Sequence, residues 1–398
     1  MMNPSVGLTN PDGDATSQFV TRRMTSSKDR SLDDPLSSSM DVKKAMAMIG
    51  AFYWLVMTAL IVPVACVATC LLCITPLLLI SFYTPQQLLD IFGPRCSTSQ
   101  KRLMAQRGGY IDFSDKKIVE YGDDISAISD KRALFLANHL GLVDHFIIMT
   151  AMHNKQSLTG RYLWVIYNIW KYTPLGLMWT THGNFFVNGG ASKRASVLET
   201  FGEHLRKHYW SQDYGAVVMY PEGSRLFLIK DSAARFAEKN GLKPLKHCAH
   251  PRTGAAHTVL SECGPKEGRD NPIEYIVDCT LGYPRGEVVD LGKAMTGEWP
   301  NDESTVAIHY RIYKTDPALA DEKILKKWLY ERYEEKDRLL DDYYKTGRFE
   351  TKARPVNFPF SWAIVVQVFW MALFYAHYIL WLKPSAVFGY RLFTNLLF

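Results

Sequence analysis

The sequence predicts an α/β domain, a mixed and mostly parallel sheet flanked by helices, with membrane-anchoring helices at its N- and C-terminal sides. Two observations carry that expectation. Short apolar runs of strand length at Ala133–Ala137, 216–220 and 275–280 are separated by stretches with helical patterning. Alternation of that kind builds a sheet covered on both faces. Two long apolar stretches, 45–82 and 358–382, bracket the region 100–350 in which the runs fall.

Taken in order, residues 1–44 are rich in Ser, Asp, Thr and charge and lack apolar periodicity, so they read as a disordered polar tail. The run 45–82 is almost uncharged and too long for a cleavable signal peptide. Pro63 and Pro76 interrupt it, which leaves a kinked span and a re-entrant hairpin both open. Within 100–350, the stretches 191–209 and 234–240 read as helices, and 322–344 as an amphipathic helix leading toward the second anchor. The segment 358–382 has the length of one membrane crossing at ~1.5 Å per residue. Phe388, Tyr390, Leu392 and Phe393 give the tail 386–398 an interfacial composition. The aromatic-rich stretch 161–179 suits either a headgroup-level or acyl-lining position, or a buried helix and loop.

With 398 residues and 47% apolar content the chain has material for a sizeable core. Its formal charge of +6 suits a lipid bilayer surface or an anionic substrate. The basic residues are dispersed and no zinc-finger or RNA-binding signature occurs, which argues against nucleic acid. The seven cysteines follow no disulfide spacing and read as reduced thiols. The Cys70/Cys73 pair lies inside the apolar run, where thiols behave as small hydrophobes, so no metal site is expected.

The chemistry concentrates at two strand ends. After Ala133–Ala137 come Asn138, His139, Gly141 and Asp144. Residues five apart on a helix point away from each other, so His139 and Asp144 meet only if Gly141 makes a tight turn and Asp144 opens the following helix. The carboxylate would then orient one imidazole nitrogen and leave the other to take a proton. Taken alone, the spacing describes a surface His beside a helix-capping Asp more readily than a catalytic pair, because two common residues at one spacing carry little information. After 216–220 come Glu222, Gly223, Ser224 and Arg225, a set suited to an anion clamp or to an ordinary turn with a solvated Glu222–Arg225 pair.

Asn-His-x4-Asp followed by Glu-Gly-Ser-Arg resembles the signature pair of the glycerolipid acyltransferase superfamily, typified by lysophosphatidate acyltransferases. Gly183-Asn184-Phe185-Phe186-Val187 resembles the family's third block, and the stretch from Ile276 to Pro284 its fourth. His182-Gly183-Asn184-Phe185-Phe186, Pro251-Arg252-Thr253-Gly254-Ala255, His309-Tyr310-Arg311-Ile312, Trp328-Leu329-Tyr330 and Tyr344-Lys345-Thr346-Gly347 are similar to the lysophosphatidylglycerol acyltransferase branch, and the similarity runs from about residue 45 to the C-terminus. One position departs: Gly189 stands where many relatives carry an arginine, and Lys193 or Arg194 is the candidate substitute.

The resemblance implies an acyl-CoA-dependent lysophospholipid acyltransferase with no bound cofactor. His139 and Asp144 would be catalytic. Asn138, Gly183, Phe186, Glu222, Gly223, Ser224, Arg225, Lys193, Arg194 and Pro284 would bind substrate. Backbone amides near Gly141 or following Glu222 would hold the oxyanion. The implied location is the endoplasmic reticulum membrane, multi-pass or hairpin-anchored, with the catalytic domain facing the cytosol. A membrane thioesterase or lipid hydrolase and a non-catalytic scaffold stay open as alternatives.

Overall fold

The computed structural model of the chain describes residues 117–153, 155–188, 190, 192–295, 305–357 and 378–397, with isolated positions between 45 and 59 and between 368 and 376. The expected tail 1–44 and most of the stretches 45–82 and 358–382 lie outside the described residues. Among the described residues, no helix is long and apolar enough to cross a membrane.

Eight strands form one mixed sheet: β1 (Lys117–Gly122), β2 (Ala133–Ala137), β3 (Tyr162–Tyr167), β4 (Phe185–Val187), β5 (Ala216–Met219), β6 (Tyr275–Gly282), β7 (Thr305–Lys314) and β8 (Arg354–Pro355). Their spatial order is β4-β3-β5-β2-β6-β7-β1-β8. The five strands from β4 to β6 run parallel, β7 turns antiparallel to β6, and β1 runs parallel to β7. All five residues of β2 and all four of β5 are buried, as strands covered on both faces require.

Alternation along β2 divides the core. Ala133, Phe135 and Ala137 face helices α1 (Asp144–Ala151) and α2 (Pro174–His182), which contribute Phe146, Ile147, Leu175 and Trp179. Leu134 and Leu136 face α3 (Arg194–His208), α5 (Thr253–Cys263) and α7 (Glu322–Thr346), which supply Phe201, Leu205, Val259, Leu260, Leu325 and Leu329. Helix α4 (Leu226–Lys239) follows β5, α6 (Leu291–Met295) follows β6, and α8 (Lys383–Leu397) closes the described chain.

Several elements differ from their sequence reading. The helix expected over 191–209 starts at Arg194, and the short helix at 234–240 is the second half of α4. Its first turn, Leu226 to Ile229, has the apolar look of a strand and hides the helix start. The stretch 161–179 is neither one helix nor one loop. Tyr162–Tyr167, rich in aromatic and β-branched residues, forms β3, a 3-10 turn occupies Asn168–Tyr172, and α2 follows with Thr173 as its N-cap. The amphipathic stretch 322–344 is a packed wall of the domain, since Leu325, Leu329, Tyr333, Lys336, Leu340 and Tyr343 are all buried.

Lys336 stands out in that list because its side chain is 0% exposed. Its Nζ lies 2.8 Å from Asp278 Oδ1 and donates to the carbonyls of Cys279 and Leu136. Arg311 holds the other Asp278 oxygen at 2.7 Å, and the Tyr333 hydroxyl donates to the Ala137 carbonyl at 3.2 Å. Burial pushes the Asp278 carboxyl up, but Lys336 and Arg311 outweigh it and hold the group below the usual carboxylate range. Helix α7 thus satisfies the Cys279 carbonyl of β6 and the Leu136 and Ala137 carbonyls of β2, three and two residues before His139. Removing one partner strands the other as an unpaired buried charge. Asp278→Ala is expected to cost about 3–5 kcal/mol in urea unfolding, and Lys336→Met added to it is expected to return part of that loss.

Candidate active site

Parallel strands β5, β2 and β6 are adjacent, so the loops that leave their carboxyl ends share one rim of the sheet. Those loops carry Glu222 to Arg225, Asn138 to Asp144, and Tyr283 to Pro284. The rim thereby collects residues distant in sequence.

His139 Nδ1 lies 2.9 Å from Asp144 Oδ2. Asp144 is the first residue of α1, and the Leu140 and Gly141 amides donate to the same carboxylate oxygen at 2.6 and 2.9 Å. The Tyr283 hydroxyl donates to Oδ1 at 2.5 Å. Asp144 is fully buried whereas the His139 side chain is 20% exposed, so the pair runs from the interior to the surface. Tyr220 stacks on the imidazole with ring centroids 4.1 Å apart. With Nδ1 donating to a carboxylate, Nε2 is the nitrogen left to accept a proton.

Gly141 permits this turn for a reason other than backbone freedom. A Cβ there would sit 2.6 Å from Val288 Cγ1, so the side-chain-free position lets the loop after β6 close over the turn. Because the Leu140 and Gly141 amides are spent on Asp144, they are not the oxyanion donors that the sequence suggested.

Asn138 is 0% exposed, and both of its amide atoms are used by the Leu281 backbone, at 3.0 Å as donor and 2.7 Å as acceptor. It fastens β2 to β6 and keeps no polar atom for a substrate. Glu222 does not pair with Arg225 either. Its buried carboxyl accepts from the His139 amide and the Ala249 amide, each at 3.1 Å, so it fixes the backbone from which the imidazole projects. Gly183 is the left-handed C-cap of α2 at φ 89°, and its carbonyl accepts from His204. Phe186 packs half-buried on edge strand β4, and half-buried Pro284 follows Tyr283, which makes the fourth block's contact with Asp144.

The remaining cations gather on the same rim. Arg225 is the N-cap of α4 and lies 5.0 Å over the Phe227 ring, and the Leu226 amide donates to the His139 carbonyl. Gly223 adopts φ +76°, and a Cβ there would lie 3.1 Å from the guanidinium of Arg252. Burial, then repulsion from Arg194, pulls Arg252 below its ordinary value, which places the two guanidinium groups close enough to feel each other. Lys193 and Arg194 are exposed at the start of α3, and Gly189 lies outside the described residues. Sequence reading did not single out Arg252, Tyr220, Tyr283, Asp278 or Lys336 for the site. Their contacts join segments far apart in the chain, and spacing carries no trace of them.

An oriented imidazole on the carboxyl rim of an α/β sheet, flanked by guanidinium groups and aromatic rings, has the make-up of a candidate enzyme site with a general base beside anion-binding groups. The sequence matches the family model described as Acyltransferase over residues 117–273 and that described as Acyltransferase C-terminus over residues 301–370. The Caenorhabditis elegans protein acl-12, provisionally named a 1-acyl-sn-glycerol-3-phosphate acyltransferase, is 45% identical over 373 residues, 90% of this chain and 92% of its own. The proteins named acyl-CoA:lysophosphatidylglycerol acyltransferase 1 of Mus musculus and Homo sapiens are 29% and 28% identical over 288 residues, 67% of this chain and 76% of theirs. The chain belongs to the glycerolipid acyltransferase superfamily and is an acyltransferase.

Glu222 supplies a prediction. Burial pushes its carboxyl up from 4.5 to about 8, against the lowering effect of the two amide donors and Lys336. The folded chain therefore holds this proton more tightly than the unfolded chain. Between about pH 4.5 and about pH 8, rising pH favours unfolding, so stability falls through that window and levels off above it. Glu222→Gln keeps an acceptor and cannot ionise. It is expected to flatten that part of the profile in thermal unfolding scans, and an unchanged slope would place the titration on another group.

Proposed function

We propose that the protein transfers a fatty acyl group from acyl-CoA to the free hydroxyl of a lysophospholipid, with lysophosphatidylglycerol or lysophosphatidylethanolamine as acceptor. The observation that carries this reading is the His139–Asp144 pair, held at 2.9 Å on an open sheet rim beside Arg225 and Arg252. A CoA thioester is already activated, so the enzyme has to supply a positioned base and charge stabilisation.

His139 Nε2 takes the proton of the glycerol hydroxyl as its oxygen attacks the thioester carbonyl carbon. The tetrahedral adduct then expels CoA as thiolate by C–S cleavage, and the imidazolium returns the proton to the sulfur. Asp144 holds the ring and balances its transient charge. The Gly223 amide is taken by the Tyr220 carbonyl, which leaves the Ser224 and Arg225 amides as the oxyanion donors this reading favours. Arg225, Arg252 and Arg194 receive phosphate oxygens, with Arg194 or Lys193 standing in for the arginine that Gly189 replaces. No acyl-enzyme is invoked, consistent with the lack of a Gly-x-Ser-x-Gly elbow in the sequence.

Both lipid substrates partition into a bilayer. The exposed Tyr167, Ile169 and Tyr172 after β3, and Phe227 and Leu228 after β5, suit a rim that meets the headgroup region. Val387, Phe388, Tyr390, Leu392 and Phe393 on α8 are exposed as well, consistent with an interfacial helix. The reading places the protein in the endoplasmic reticulum membrane through 45–82 and 358–382, with the catalytic domain toward the cytosol.

Labelled oleoyl-CoA or stearoyl-CoA offered with a panel of lysolipids tests the proposal. Transfer is expected only when a lysolipid is present, and release of free fatty acid regardless of acceptor would replace transfer by hydrolysis. His139→Ala is expected to lower turnover by ~10²- to 10⁴-fold without loss of membrane association. Arg194→Ala or Lys193→Ala is expected to raise the acceptor KM roughly tenfold at unchanged kcat, and unaltered values for both would remove them from the phosphate site.

A further inference from the structure

The rings beside His139 form a continuous series. Tyr220 stacks on the imidazole, Trp164 lies 6.4 Å from Tyr220, His145 lies 3.8 Å from Trp164, and Trp179 lies 5.0 Å from His145. Each carries a buried polar atom that finds no hydrogen-bond partner among the described residues: Tyr220 Oη, Trp164 Nε1, His145 Nε2 and Trp179 Nε1. Buried indole and phenol groups ordinarily find a partner, because an unmet donor costs ~1–3 kcal/mol. Four such atoms in one aromatic series that ends on the His139 imidazole, two of them indole N–H groups and one a phenol hydroxyl, give a wall with unmet donors in apolar surroundings.

The chemistry of the wall restricts what it takes. An indole N–H only donates, so the ligand atom is an acceptor. Burial and the neighbouring His139 push His145 down to about 3, so its ring is neutral at physiological pH. Among the described residues, no Lys or Arg packs over these rings. A phosphate would enter uncompensated, at a cost that excludes it. An uncharged oxygen on a hydrocarbon chain fits both halves of the wall, donors and apolar rings.

We infer that Trp164, Trp179, His145 and Tyr220 form a subsite for the carbonyl oxygen at the head of a fatty acyl chain. The inference rests on the proposed acyl transfer and adds a substrate-discriminating element to it. The carbonyl comes from one of two sources, the ester already present on a lysophospholipid or the thioester of the donor, whose oxygen would lie here before attack and pass to the Ser224 and Arg225 amides as the oxyanion.

Two matched ligand pairs separate the sources. One is a 1-acyl lysolipid and its 1-O-alkyl ether, and the other is a ketone analogue of acyl-CoA, with CH2 in place of sulfur, and the S-alkyl thioether. Binding of all four to the full-length protein in phosphatidylcholine vesicles is read by calorimetry, which needs no turnover. The wild-type chain is expected to prefer the carbonyl-bearing member of at least one pair by roughly 5- to 30-fold, the worth of one to two net hydrogen bonds. At least one of Tyr220→Phe, Trp164→Phe and Trp179→Phe is expected to bring that ratio toward one, and the pair that responds names the source. A ratio taken on one preparation does not depend on folded yield, and Tyr220→Phe removes a single oxygen at constant shape. Absence of any preference in the wild type, or its survival in all three variants, overturns the inference. Turnover of wild-type protein in the lysolipid assay is scored separately, so failure of the acyl-transfer reading shows there and not in the binding ratios.

Discussion

The site depends on how one buried carboxylate is satisfied. Among the described residues Asp144 forms no ion pair with a Lys or Arg, and an isolated carboxylate in that position is costly. It is held instead by four donors: the His139 ring, the Leu140 and Gly141 amides, and the Tyr283 hydroxyl. The two amides tighten the turn after β2, the hydroxyl ties that turn to the end of β6, and the ring is left in one orientation. Orientation of the imidazole, closure of the loop and junction of two strands are therefore a single arrangement.

Glu222 does the same work one strand over. Its two oxygens accept from the His139 amide and from Ala249, so the polar turn after β5 reaches across to the backbone that carries the imidazole. The segment holding Ala249 is itself fixed by Asp337 of α7, which accepts from the Lys246 and His247 amides. Half-buried Arg225 and exposed Arg252 sit at the outer edge of this network.

Much of this was legible in the sequence, and the reason is local. The three apolar runs that stand at the centre of the sheet alternate with polar turns, so their burial on both faces follows from composition. His139 and Asp144 meet because a short turn and a helix start can be read from neighbouring residues. What could not be read is pairwise and distant. Asn138 looks like a surface amide beside a histidine, and only the neighbouring β6 shows that Leu281 consumes it. Glu222 looks like the partner of Arg225 three residues on, but the turn through Gly223 sends the two side chains apart. Lys336 sits among the charges of an amphipathic helix and gives no sign that it, alone of its neighbouring lysines, is wholly enclosed.

The span between Lys336 and the carbonyl it meets on Leu136 is 200 residues. Strand β2 and the turn bearing His139 leave the ribosome early, yet β6, which lies against β2, and the cation that satisfies their carbonyls arrive much later. The first family-model match ends at residue 273, before β6 begins, so that portion of the chain is a stretch of recognisable sequence and not a folding unit. A nascent chain must carry a half-built sheet with an open edge until the later strands and α7 emerge, which is the interval in which misassembly is most costly. Assembly of the rim that carries His139 is thereby deferred until nearly the whole domain has been translated.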